Sequence, residues 1–142
     1  MQLHYIFEKN DIVAVSKDLL SVKQLGFDSE SINAIPGEIN LHLDINRLCQ
    51  FMPYGGTEVF VFDSMLIKEH KDAYDIYYDL LVQLLYERIL IGHNMIYDSG
   101  IMLSNYKIPI VSLHDIMAMG KLIHCPIRVK DPVSGQLKND VS

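Results

Sequence analysis

The residues of this 142-residue chain that could do chemistry are carboxylates, and their placement is suggestive. In "GFDSE", one residue separates Asp28 from Glu30. Residues two apart in an extended strand project from the same face. The two acids would then stand side by side, with Ser29 turned away. Two such anions repel unless a cation lies between them, and an all-oxygen donor set suits Mg²⁺ or Mn²⁺. In "ILIGHNMIYD", Asp98 follows a short apolar segment and comes after His93 and Asn94. Asp63 follows "VFVF", and Asp115 follows "VSL" where a further helix would begin. Singly, each of these acids also suits an ordinary solvated strand end or helix cap, and His93 alone suits a polar residue satisfied by its neighbours. As a set, they put acids after several strands of one expected sheet. In open sheets with parallel strands, sites gather at those carboxyl ends.

Other chemistries lack their signatures. There is no GxxxxGK or GxGxxG phosphate loop. The six histidines and two cysteines, Cys49 and Cys125, lack zinc-ligand spacing. No Ser-His-Asp or Cys-His arrangement has supporting context.

The elements that must position the acids follow from apolar periodicity. Leu3–Val15 reads as a short strand and a turn, and Ser16–Leu25 as a helix capped by Ser16. Gln24–Glu30 reads as a buried strand, with Val22, Leu25 and Phe27 making it part of the core. Ser31–Glu38, with Pro36 and Gly37, reads as a loop. Ile39, Leu41, Leu43 and Ile45 alternate with polar residues as on a half-buried strand. Two strands flank the turn Pro53-Tyr54-Gly55-Gly56-Thr57. The clearest helix follows Lys71: Tyr74, Tyr77, Leu81, Leu84 and Leu85 share one face, with Asp72 as cap. Strand, helix, strand and helix then succeed one another to His124. The expectation is an α/β fold with a mixed sheet: three antiparallel strands, then βαβ crossovers, flanked by helices, antiparallel at one edge and parallel at the other. Residues 1–124 form one domain in this reading and 125–142 a polar, turn-rich tail.

Composition agrees with a single packed domain, since 49% of residues are hydrophobic and 21% charged. The net charge of −6 argues against a general electrostatic grip on nucleic acid. It does not exclude a site whose own carboxylates are neutralised by metal. The cysteines form no CxxC pair, which points to a reducing, intracellular compartment, cytoplasmic or nuclear. No signal-peptide pattern opens "MQLHYIFEKND", and no apolar run has the length of a membrane span.

Taken in order, "GFDSE", "INRLCQFMPYGGTEVFVFD", "LLYERILIGHNMIYDSGIML" and "VSLHDIMAMGKLI" resemble the DEDD superfamily of 3′–5′ exonucleases, ribonuclease D-like branch, with its RNase H-like fold. The resemblance runs from about Leu3 to His124. It implies that Asp28, Glu30 and Asp98 are catalytic metal ligands for two Mg²⁺ or Mn²⁺ ions about 4 Å apart. It implies a nucleic acid 3′ end, RNA or DNA, as substrate. It implies that His93 and Asn94 support the strand-to-helix turn and approach that substrate, and that Asp115 is a supporting residue.

The sequence departs from the family at its fourth acid, expected in a Y-x-x-x-D or H-x-x-x-x-D motif on a late helix. Tyr106 has no Asp four residues on, and His124 precedes Asp131 by seven. By the resemblance, the chain stops where the family's last helices begin and is C-terminally incomplete. Three readings remain open: a metal-dependent 3′–5′ exonuclease, a degenerate exonuclease-fold module that binds RNA or a protein partner without catalysis, and a phosphoryl-transfer domain of another family. Incompleteness would also expose apolar surface, which a second copy or a protein partner could cover.

Overall fold

The computed structural model describes residues 1–123, 128–130, 134 and 137–139. Its centre is strand β2 (Gln24–Ile32), whose pleat sorts the sequence by face. Leu25, Phe27 and Ser29 are buried, whereas Asp28 and Glu30 are exposed on the other side. Strand β3 (Ile45–Pro53) pairs antiparallel with β2, and β4 (Glu58–Asp63) pairs antiparallel with β3. The register sets Phe27 opposite Phe51 and Asp28 opposite Gln50. The β3–β4 turn closes with Gly55 at φ 76° and a hydrogen bond from Gly56 N–H to Pro53 O of 2.9 Å.

Strand β1 (Gln2–Ile6) lies outside β4 and runs parallel to it. Strand β5 (Ile89–Gly92) pairs parallel with β2, and β6 (Ser112–Asp115) parallel with β5. The order is β1-β4-β3-β2-β5-β6. The sheet is mixed as expected, with one correction: its antiparallel strands are central and both edges are parallel.

Helix α1 (Lys9–Leu20), the short α2 (Ser64–Lys68), α3 (Lys71–Glu87) and α4 (Met95–Tyr106) supply the core's other wall. On α3 the expected inner face is buried at Tyr77, Leu81, Leu84 and Leu85. Rings then run in contact from sheet to helices. Phe27 meets Phe51 at 5.0 Å, Phe51 meets Phe62 at 6.0 Å, and Phe62 meets Tyr77 at 5.4 Å. Tyr77 meets Tyr106 of α4 edge-on at 6.3 Å.

Four local expectations are corrected. Helix α1 begins at Lys9, so Ser16 lies inside it; its hydroxyl donates to Ile12 O at 2.6 Å instead of capping. The helical stripe starts at Ile12 and returns at Leu19, both fully buried. Strand β2 runs two residues further than expected, into the segment read as loop. Of the expected strand Ile39–Ile45, only Ile45 is extended, as the first residue of β3. The buried carboxylate of Asp44 accepts from Ala34 N–H (3.1 Å) and Asn40 N–H (2.9 Å), which winds the segment into turns and leaves Ile39 73% exposed. Helix α3 is flanked by His70 at its N-cap, and Asp72 lies in its first turn, accepting from Ala73 N–H at 2.9 Å.

Helix α5 (Ile116–Ile123) follows β6, and a short antiparallel pair, β7 (Arg128–Lys130) with β8 (Leu137–Asn139), lies in the stretch read as tail. His124, Cys125 and Asp131, and with them the expected domain boundary, fall outside the described residues.

Gly92, at the end of β5, cannot carry a side chain without disturbance. A Cβ there would sit 2.7 Å from the Phe27 carbonyl oxygen, which is backbone and cannot swing away, and 2.2 Å from Met95 Sδ. Gly92→Ala is expected to destabilise the fold by about 1–3 kcal/mol, the usual range for overpacking. A lowered midpoint in thermal or urea unfolding checks it.

Candidate metal centre at the end of β2

The site is built where two parallel strands have unequal length. Strand β5 accompanies β2 only across Gln24–Gly26 and stops at Gly92, while β2 continues to Ile32. The outward N–H of Ser29 therefore has no strand partner. Asp98, in the first turn of α4, occupies the gap. Its Oδ1 accepts from Ser29 N–H at 2.9 Å and from Ser29 Oγ at 2.5 Å. Both residues are buried.

This placement has a protonic consequence. Burial pushes the Asp98 carboxyl above the ordinary carboxylate range, the Ser29 hydroxyl and N–H pull it down, and the nearby charge of Asp28 raises it again. The net direction is upward. An anion here is held at a cost that a cation would offset.

Asp28 and Glu30 project from the opposite side of β2 to Ser29, as the pleat requires. Gln50 Nε2, across on β3, donates to Asp28 Oδ2 at 3.1 Å. Both acids are exposed. All three carboxylates line one open cleft of about 490 Å³, together with His93, Asn94 and Tyr97. A second wall is the segment fixed by Asp44, which brings Asn33 and Ile39 to the cleft. Tyr97 hydroxyl donates to Asp44 Oδ2 at 3.4 Å and links that wall to α4.

The His93-Asn94 turn is shaped by Asp115. Asn94 adopts the left-handed conformation (φ 58°), one that Asn tolerates better than most residues. The Asp115 carboxylate accepts from Asn94 N–H (3.0 Å) and Met95 N–H (2.9 Å), at the start of α4. It also accepts from Met117 N–H (2.9 Å) and Ala118 N–H (3.3 Å), at the start of α5. One carboxylate thus caps two helices. Asp63, the remaining strand-end acid, caps α2 through Leu66 N–H at 3.0 Å and accepts from the Tyr5 hydroxyl. Neither Asp63 nor Asp115 lines the cleft.

Of the expected site residues, Asp28, Glu30, Asp98, His93 and Asn94 come together in the cleft, and Asp115 lies behind its turn. Among the described residues, no three His, Cys, Asp or Glu side chains stand close enough to hold a metal ion. The carboxylates share a cleft and not yet a coordination shell. The donor set itself fits a hard divalent cation, being all oxygen and anionic, with two members on exposed side chains.

Sequence reasoning missed Ser29. The signal was present: a hydroxyl at the inward position of the series Leu25, Phe27, Ser29 needs a buried partner.

Desolvation pushes the Asp115 carboxyl up, but its four backbone N–H donors outweigh this and hold it below the ordinary range. A group with a depressed folded-state pKa stabilises fully above its unfolded value, about 3.9, and loses that contribution as pH falls through the folded value. Asp115→Asn is therefore expected to lower the unfolding midpoint most at neutral pH. The gap to wild type should shrink below about pH 4. Thermal unfolding at several pH values reads this directly.

No helix among the described residues is long and apolar enough to cross a membrane. Comparison with curated proteins finds no match. Among solved structures, the chain is similar to a Trypanosoma brucei RNase D complex with RNA U12 at 14% identity and TM-score 0.75, covering 89% of this chain and 41% of that one. It is similar to Escherichia coli RNase D at 12% identity and TM-score 0.63, covering 94% and 36%. It is also similar to the EXD2 exonuclease domain soaked in Mn and GMP, at 15% identity and TM-score 0.62, covering 84% and 58%. The chain therefore spans less than two thirds of each of these neighbours, and at such identities the likeness is one of fold: RNase H-like, α/β. The 3′–5′ exonuclease family model matches residues 3–130, most of the sequence. With that match over β1 to β7, the chain belongs to the 3′–5′ exonuclease domain family, ribonuclease D-like in structure.

Proposed function

We propose that this domain hydrolyses nucleic acid phosphodiester bonds from the 3′ end in a reaction that needs Mg²⁺ or Mn²⁺. The observation that carries the proposal is the delivery of Asp28, Glu30 and Asp98 into one cleft by the free end of β2 and the first turn of α4. Asp28, Glu30 and Asp98 would hold the metal. When bound, it supplies an activated water and stabilises the leaving 3′ oxygen. Without a cation, three carboxylates repel a phosphodiester, so the acidic cleft itself ties substrate binding to metal. His93 and Asn94, on a turn pinned by Asp115, line the cleft where the terminal nucleotide would lie. Two similar proteins support the choice of ligands: the Trypanosoma brucei RNase D structure holds RNA U12, and the EXD2 domain was soaked in Mn and GMP.

A second reading has its own support. The carboxylates are not gathered on one point, and Asp28 and Asp98 are each engaged by a hydrogen bond within the protein. That arrangement suits a module that binds RNA or a protein partner without cleaving.

A 5′-labelled oligoribonucleotide with Mn²⁺ separates the two. Catalysis predicts a ladder shortening from the 3′ end, abolished by chelation. Loss of a ligand forfeits several kcal/mol of charge stabilisation, so Asp28→Ala should slow the reaction by about 10²-fold or more. Retention of full-length RNA at high protein concentration, with a measurable gel shift, would establish the binding module instead.

A further inference from the structure

We propose that Ser29, the residue between the two β2 acids, is a positioning residue for Asp98 that sets the affinity of the cleft for a divalent cation. The inference rests on the metal-dependent reading above and goes beyond it, because Ser29 faces away from Asp28 and Glu30 and lies outside the proposed ligand set.

The geometry carries it. Ser29 places two donors, Oγ at 2.5 Å and N–H at 2.9 Å, on a single oxygen of Asp98. Two donors on Oδ1 fix the plane of the carboxylate, so Asp98 presents a constant edge to the cleft that it shares with Asp28 and Glu30. The hydroxyl is buried in an otherwise apolar series, where a serine with no partner would be unfavourable. Packing alone would favour alanine or valine there. The N–H belongs to the backbone and any residue supplies it, so the hydroxyl is the specific contribution of Ser29. Without it, Asp98 keeps only the N–H of its two bonds to Ser29, and the carboxylate has more freedom to pivot. Residues that orient metal ligands from behind typically change metal affinity by about 10–100-fold when removed.

The test uses Mn²⁺ alone as probe, titrated into the full 142-residue chain by calorimetry. Ser29→Ala should bind Mn²⁺ at least about 10-fold more weakly than wild type, with circular dichroism unchanged. Ser29→Thr, which keeps the hydroxyl, should restore most of the affinity. On the oligonucleotide, the rate of Ser29→Ala should recover toward wild type as Mn²⁺ is raised to saturation, a dependence that a general loss of structure would not show. If Ser29→Ala does not fold, Ser29→Cys, nearly isosteric but a weak donor, should show the same weakened binding. Wild-type Mn²⁺ affinity in a folded Ser29→Ala or Ser29→Cys, alongside weakened binding in Asp98→Ala, would overturn the role of Ser29 and leave the metal site standing. Absence of Mn²⁺ uptake by wild type, or an Asp98→Ala variant that binds as wild type does, would overturn both.

Discussion

The site depends on a mismatch of strand lengths. A parallel partner satisfies β2 for three residues and then ends, and an unpaired backbone N–H inside a protein must find an acceptor. Here the acceptor is a carboxylate from the next helix. This fixes how far α4 may rotate and how close its first turn comes to the sheet. Gly92 enforces the same approach from the other side, since there is no room for a Cβ between β5, Met95 and the Phe27 carbonyl. Backbone accounting and close packing, more than attraction between functional groups, bring the acids near one another.

That origin explains the electrostatics. Carboxylates assembled by attraction would be expected to have cationic partners. The described residues show no lysine or arginine ion pair to Asp28, Glu30 or Asp98. Their partners are neutral donors: Gln50 for Asp28, Ser29 for Asp98. Neutral donors orient a carboxylate without cancelling its charge, which leaves the cleft an unneutralised anionic surface. The net charge of −6 is thus compatible with a site whose missing counter-charge is a metal ion.

How much of this was legible in the sequence depends on which period controlled each segment. The two-residue period put Asp28 and Glu30 on one face of β2, and the 3.6-residue period gave the inner face of α3, because in both cases burial follows the pattern. The same reasoning failed at Ile39–Ile45, where apolar residues alternate but a buried carboxylate, Asp44, gathers backbone N–H groups and winds the chain instead. One polar residue with the right donors outweighed four apolar ones. The start of α1 was missed for a related reason: Lys9, Asn10 and Asp11 are polar and no side chain caps them, so the helix announces itself only through Ile12 and Leu19. The parallel pairing of β1 with β4 was invisible because it joins segments more than fifty residues apart. For the acids, sequence placed them at strand ends but could not say which end faces the cleft.

Asp115 shows how the fold divides its strand-end acids. An ionised carboxylate offers about four lone-pair directions. Four backbone N–H groups converge on Asp115, three on Oδ1 and one on Oδ2. Oδ1 is crowded with peptide hydrogen, and a cation drawn to that oxygen would compete with the starts of two helices. That carboxylate is committed to backbone hydrogen bonds at the starts of α4 and α5. The fold thus uses one strand-end acid to join two helices and leaves Asp28, Glu30 and Asp98 facing the cleft.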